Sequence, residues 1–279
     1  MHECWKIAFS TTRPDAAETA LEAFGASIWA TEKQGDAVAF EVYLDTPPDL
    51  AALALPDDAI AEVIHLPPHD WVSESQQNLP PVRVPPFYLH GSHDKAMRGG
   101  WRSIEMQAGL AFGSGHHGTT QGCLHLFARV MKHNPRPRLI ADIGCGSGTL
   151  AIAAAKLVRA TQAGSIFASD MDADAVQVTR HNARRNGVAP QIRVFGAAGM
   201  AHPAYRAQRF DVIFANILAA PLIALAGDFE RHLADNGVLI IAGLLTTQAR
   251  GVKARYRACG LKPRHEIKIG QWTSLALMR

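Results

Sequence analysis

From Leu139 onward, short apolar runs alternate with longer stretches rich in Ala, Leu and Ile, the pattern of strands exchanging with helices. Leu139–Ile143 is predicted as a strand and Thr149–Arg159 as a helix. Ile166–Ser169 is the next strand, and Asp172–Asn186 a helix stopped by Gly187. Ile192–Phe195 and Asp211–Ala215 are further strands, and Pro221 suits the first turn of a helix running to about Ala234. Asp235-Asn236-Gly237 turns the chain into a strand at Val238–Ala242, and a helix at about Thr246–Cys259 ends at Gly260. Only Gly270-Gln271 separates the last two strands, Arg264–Ile269 and Trp272–Met278, which is too short for a parallel crossover, so they form an antiparallel hairpin. The fold class is α/β: a doubly wound, mostly parallel, seven-stranded Rossmann-like sheet with one reversed strand near its end.

The first part of the chain reads differently. Strands at Trp5–Ser10, Ala26–Ala30, Ala37–Leu44 and Ile60–Leu66 are interleaved with a helix at Pro14–Phe24 and a short one near Asp49–Leu55. That order, βαββαβ, is ferredoxin-like. Nine of the sixteen prolines fall between Pro47 and Pro86, with pairs at 47–48, 67–68, 80–81 and 85–86. Proline lacks a backbone donor and disfavours helix in the residue before it, so this stretch is expected to break regular structure. The domains are therefore read as 1–68, a small ferredoxin-like α+β domain; 69–109, a proline-rich connector; and 110–279, the sheet domain.

Composition sharpens this division. Hydrophobic residues are 48% and charged residues 19% of the 279, which excludes wholesale disorder. The net charge of +3 hides a split: residues 1–70 carry three Lys/Arg against thirteen Asp/Glu, a net of −10, whereas the remainder is +13. Cys4, Cys123, Cys145 and Cys259 have no paired spacing for zinc and do not resemble a secreted disulfide framework. The opening residues lack a basic region followed by an apolar run, and no stretch approaches the ~18–20 apolar residues of a membrane span. The expectation is a cytoplasmic monomer with no membrane partner.

The chemistry centres on Asp142-Ile-Gly144-Cys-Gly146-Ser-Gly148, between the first sheet-domain strand and its helix. Glycines there let backbone approach a ligand at a strand's carboxyl end. A dinucleotide fingerprint beginning at Gly144 would need glycine at Thr149, so the loop does not read as a pyrophosphate cradle. An acid two residues ahead of the first glycine suits a cationic ligand, and S-adenosylmethionine carries both a sulfonium and an ammonium. Asp170, closing the second strand, is placed to accept from both hydroxyls of a ribose, with Met171 beside it; Asp172 reads as a helix cap. Asn216 follows a buried run where a reacting group would be presented, or else caps the next helix. It resembles the Asn-Pro-Pro-Tyr corner of amino-group methyltransferases, but Ile217, Leu218 and Ala219 replace the prolines and the aromatic. Upstream, the run containing Phe112, Gly113, His116, His117, Thr119 and Thr120 is expected to form a substrate or lid loop leading to the cofactor, with helix capping as the alternative role for the threonines. The two adjacent histidines have no third ligand, and no metal is expected.

Taken together, Ala111–Thr120, Asp142–Ala154, Ser169–Asp172, His181–Gly187 and Ala215–Leu218 resemble the bacterial ribosomal protein L11 methyltransferases. The resemblance implies a class I methyltransferase with S-adenosylmethionine as donor, cofactor residues at Thr120, Gly144, Asp170 and Asn216, and a small N-terminal domain that recognises a ribosomal protein. It also implies methylation of that protein's lysine ε-amines and N-terminal α-amine. The residues themselves add Asp142, Gly146, Gly148 and Met171 to the expected cofactor contacts, and Asn216 as the expected catalytic residue. An acidic domain attracts a basic protein and repels a phosphate backbone, so direct nucleic-acid binding is not expected. The alternatives are an RNA methyltransferase that grips RNA through the +13 remainder, and a non-catalytic cofactor-binding assembly factor.

Overall fold

The computed structural model describes residues 4–14, 16–17, 20–21, 29–34, 37–44, 47–48, 50, 53, 55–66, 80–92, 94–106, 117–133, 136–158 and 165–279. The chain divides into two compact units, Met1–Trp71 and Val72–Arg279.

In the smaller unit, β1 (Cys4–Thr11), β2 (Trp29–Gln34), β3 (Ala37–Leu44) and β4 (Glu62–Leu66) make one antiparallel sheet in the order β2-β3-β1-β4. That order has consecutive strands β1 and β2 separated by β3, the arrangement of a split βαβ repeat. Alternate residues Ile7 and Phe9 of β1 and Phe40 and Val42 of β3 enter one core with Leu21. The directly paired rings of Phe9 and Phe40 stack at 5.0 Å. The second strand, expected at Ala26–Ala30, is seen at Trp29–Gln34, where its residues pair antiparallel with Ala37–Val42. The first expected helix is helical at Pro14, Ala16, Ala17, Ala20 and Leu21, while the short one near Asp49–Leu55 falls largely outside the described residues.

The larger unit opens with β5 (Val82–Val84), β6 (Phe87–His90) and β7 (Arg102–Glu105), a small sheet inside the stretch expected as a connector. Pro85-Pro86 is the turn between β5 and β6, so the prolines sit where no ladder hydrogen bond is lost. Val84, Phe87, Leu89, Ile104 and Met106 are buried in the core of this unit. The described residues between 80 and 106 are thus built into the fold.

The main sheet follows. After α1 (Gly118–His133) come β8 (Ile140–Ile143), α2 (Thr149–Leu157), β9 (Ile166–Asp170), α3 (Ala173–Arg185), β10 (Ile192–Gly196) and β11 (Phe210–Asn216). Two short helices, α4 (Ala219–Ala224) and α5 (Ala226–His232), lead to β12 (Leu233–Leu245), α6 (Ala249–Ala258), β13 (Lys262–Ile269) and β14 (Trp272–Met278). The single helix expected from Pro221 to Ala234 is divided at Leu225 and ends early, because Leu233 is fully buried and already paired with Phe210.

The order is β10-β9-β8-β11-β12-β14-β13, with β14 antiparallel to both neighbours and the other pairings parallel. Both faces of the strands are apolar, as a covered parallel sheet requires. Ile140, Phe214 and Ile240 point into a core shared with Leu124 and Phe127 of α1 and Ile152 of α2. Their neighbours Ala141, Ile213 and Ile241 point the other way, against Leu222, Phe229 and Tyr256 of α4, α5 and α6. Strand order reverses between β8 and β11, which opens a crevice at their carboxyl ends.

Candidate active site

The glycine loop between β8 and α2 is held by the neighbouring strand. Gly144 N–H and Cys145 N–H both donate to the Ser169 carbonyl, at 2.8 and 2.9 Å. Gly146 N–H donates to Asp170 Oδ2 at 2.9 Å, and Asp172 N–H donates to Asp170 Oδ1 at 3.1 Å. Each Asp170 oxygen keeps a further lone pair, so the carboxylate is oriented by the backbone and still able to accept from a diol. Gly144 adopts φ +72, and a Cβ there would sit 2.3 Å from Ile217 Cγ2, so the loop and the β11 corner approach only because that side chain is absent.

Asp142 is fully buried at the end of β8. Its Oδ2 accepts from Ala151 N–H at 3.0 Å and so caps α2 from outside the helix, whose own N-cap Gly148 has no side chain to do so. Its Oδ1 is buried and has no hydrogen-bond partner among the described residues. Burial pushes the Asp142 carboxyl up to about 7, opposed by the Ala151 bond and reinforced by the charge of Asp170. The same burial pushes the Cys145 and Cys123 thiols up, so neither is a thiolate at neutral pH.

Across the crevice, Asn216 ends β11. Its Nδ2 donates to Thr120 Oγ1 of α1 at 3.4 Å, and its Oδ1 is a second buried acceptor without a partner among the described residues. His117 precedes α1; its Nδ1 lies 2.7 Å from Thr119 Oγ1, its ring centroid is 4.6 Å from that of Trp272, and burial lowers its pKa.

These groups share one cavity of about 700 Å³. Thr120, Asp142, Gly144, Gly146, Asp170, Met171 and Asn216, all expected from sequence, line it. Gly148 and Thr119 do not reach its wall: Gly148 starts α2 against Thr179, and Thr119 is turned toward His117. Phe112, Gly113 and His116 lie outside the described residues. Among the described residues there is no cluster of three or more His, Cys, Asp or Glu able to hold a metal, and no helix long and apolar enough to cross a membrane.

The wall also contains Gly243 and Trp272, which the sequence reading did not single out. Gly243 had a signal: it is a glycine interrupting the apolar run Val238–Leu245, and such a glycine marks a close approach of backbone. A Cβ at Gly243 would lie 2.2 Å from the Ile217 carbonyl oxygen. Trp272 had none, since one aromatic opening a strand is indistinguishable from core.

The donor set suits S-adenosylmethionine. Two buried acceptors without a partner among the described residues belong to side chains that line a glycine-rich cavity, one of them a carboxylate suited to a cation, and a second carboxylate stands at the end of β9.

Comparison with known proteins agrees. The family model described as Ribosomal protein L11 methyltransferase (PrmA) matches residues 50–279. A ribosomal protein L11 methyltransferase of Brucella suis is 39% identical over 98% of both chains. One from Bradyrhizobium diazoefficiens is 46% identical over 75% of this chain and 70% of that protein. The crystal structure of a ribosomal protein L11 methylase from Lactobacillus delbrueckii subsp. bulgaricus superposes with a TM-score of 0.62 at 27% identity, covering 71% of this chain and 98% of that one. On the residues matched and the relatives that share them, the chain belongs to the ribosomal protein L11 methyltransferase family.

Proposed function

We propose that this chain, acting as a cytoplasmic monomer, transfers methyl groups from S-adenosylmethionine to the lysine ε-amines and N-terminal α-amine of ribosomal protein L11. Membership of the family makes the chain an S-adenosylmethionine-dependent methyltransferase. The observation that carries the reading of the site is that two side chains lining one cavity, Asp142 and Asn216, each hold a buried acceptor, Oδ1, without a partner among the described residues.

Asp142 and the glycine loop would hold the cationic amino-acid end of the cofactor, Asp170 its ribose, and Met171 would cover one side of it. Bound there, S-adenosylmethionine supplies an electrophilic methyl group on a sulfonium. The chain's own residues have a different task, which is to deliver a neutral amine along the line of the breaking bond. At pH 7 a lysine costs about 4–5 kcal/mol to deprotonate. An apolar wall around the amine lowers that cost by disfavouring the ammonium, as does a cation close by. Asn216 Oδ1 accepts one amine hydrogen and so directs the nitrogen lone pair. Orientation of this kind supplies a large part of a rate enhancement without a strong base.

The small unit is proposed to capture the substrate. A net of −10 over residues 1–70 attracts a basic ribosomal protein at long range, and salt screens that attraction. The test is to incubate the protein with labelled S-adenosylmethionine, L11 and ribosomal RNA. Label in the protein supports this reading, label in the RNA overturns it, and a Michaelis constant for L11 that does not rise with salt overturns the capture role.

A further inference from the structure

A second cleft, of about 710 Å³, lies at the far end of α1 from the site. Its floor is apolar, made by Pro85 and Pro86 of the β5–β6 turn with Ala128, Met131 and Leu157. Its rim is His125, Arg129 and Lys132. These three are spaced four and three residues apart on α1, which places them on one helical face. Among the described residues no carboxylate lines the cleft, and Arg129 and Lys132 are exposed with no hydrogen bond or ion pair. Their position in the second half of α1 also suits the helix dipole, but that accounts for the cations and not for the cavity between them and the proline turn.

We infer that this cleft binds a single-stranded segment of RNA. The cleft is of ligand size, and its chemistry is that of a nucleotide: a planar base has an apolar floor and an imidazole and guanidinium to stack on, and the phosphates have Arg129 and Lys132. A purely acidic peptide such as polyglutamate would use the cations but leave the floor bare. The unit that carries the cleft belongs to the +13 part of the chain, so its overall field attracts a polyanion. The inference departs from the expectation, based on the acidic N-terminal stretch, that the chain makes no direct contact with nucleic acid.

The inference rests on the proposed function, because a ribosomal protein substrate is one that occurs beside RNA. Thr120 at the methyl-transfer cavity and Lys132 at the cleft stand on the same helix, about 18 Å apart along its axis at ~1.5 Å per residue. RNA held at one end of α1 would keep a protein attached to that RNA near the other. The RNA is an anchor here and receives no methyl group.

The test is fluorescence anisotropy of a short labelled single-stranded RNA of mixed sequence across a salt series, with the intact protein and with the double variant Arg129→Glu/Lys132→Glu. Both positions are exposed, and thermal unfolding of the variant checks that it is folded. The expected result is binding by the intact protein, weakened on the order of tenfold in the variant, with a salt slope smaller by ~1.4 for two lost phosphate contacts on a single strand. Methyl transfer to free L11 is expected to be unchanged. Equal RNA affinity in the two proteins overturns the inference, as does displacement of the RNA by polyglutamate at matched charge. Failure to methylate free L11 in the intact protein would overturn the proposed function instead, and is read in a separate assay.

Discussion

Tyr205 donates a 2.7 Å hydrogen bond to Ser169 Oγ, and both residues are fully buried. The bond reaches the site from behind. Tyr205 belongs to a short 3-10 turn, Pro203–Tyr205, and its ring packs against Phe167, Phe195 and Phe210. Ser169 is the residue whose carbonyl holds Gly144 and Cys145, and it precedes Asp170. An aromatic cluster on one face of the sheet thereby fixes the strand end that carries the site. Tyr205→Phe keeps the ring and strands the serine hydroxyl, at a cost of about 1–3 kcal/mol. Urea denaturation should show a lower midpoint at unchanged slope. Adding Ser169→Ala should recover part of the loss, since no buried hydroxyl then lacks a partner. Additive losses would mean that the two hydroxyls do not interact.

Gly243 and Gly260 offer a controlled comparison. Both have positive φ, +87 and +84, but a Cβ at Gly260 meets nothing within 4 Å, whereas one at Gly243 meets the Ile217 backbone at 2.2 Å. Gly260→Ala should cost only the strain of a left-handed residue, about 1 kcal/mol. Gly243→Ala must also push Ile217, and with it the neighbouring Asn216, away from β12. It should be destabilised by several kcal/mol on the same denaturation scale, and should bind S-adenosylmethionine weakly where Gly260→Ala binds it normally. Similar behaviour of the two variants would show that the β11 corner tolerates displacement.

The glycine loop, Asp170 and Asn216 were legible in the sequence because each sits at a strand-to-helix junction, where polar residues interrupt apolar runs. The mostly parallel character of the main sheet and its reversed strand near the end followed from the same alternation and the short final hairpin, whereas the lateral order of the strands did not. Residues 80–106 were not legible in this way. Prolines at 80–81 and 85–86 signal a break, yet Pro85-Pro86 forms a turn, and the apolar residues flanking it are too few for a period to be read. The split at Leu225 was hidden for the opposite reason. Helical pattern continues through Leu233, and only pairing with Phe210, distant in sequence, assigns that residue to the sheet. Asp142 was expected to face a cation, but its second role as the cap of α2 depends on a hydrogen bond that residue types alone do not specify.

Asp142 makes stability depend on pH. Its carboxyl titrates at about 7 in the folded chain, against an ordinary 3.8. Between these values the folded state keeps a proton that the unfolded state has lost. Stability contributed by this group is therefore full below pH ~4 and falls as pH rises toward 7, by at most about 4 kcal/mol. Asp142→Asn removes the titration. The variant should match the wild type near pH 4 and exceed it in stability at pH 8, by denaturant unfolding without ligand. A cationic ligand favours the ionised carboxylate, so S-adenosylmethionine binding near pH 6 should release a proton in the wild type and not in the variant. Calorimetry in two buffers of different ionisation enthalpy measures that proton. A stability difference that stays flat from pH 4 to 8 would place the titration elsewhere.

Asn216 separates stability from activity. Its Oδ1 is a buried acceptor with no partner among the described residues, and its Nδ2 makes one long bond of 3.4 Å to Thr120. Truncation to Ala therefore removes little that stabilises the fold, and the unfolding midpoint should barely move. The same truncation removes the atom proposed to orient the amine, so kcat/KM for L11 should fall by about a hundredfold or more. Asn216→Asp distinguishes orientation from mere space filling. It restores an acceptor of the same shape but adds a negative charge, which holds the substrate amine as ammonium. Activity should then be low at pH 7 and recover as pH rises, while the Ala variant stays low throughout. Unchanged turnover in Asn216→Ala would remove this residue from the site and leave Asp142 and Asp170 as cofactor ligands without an identified partner for the amine.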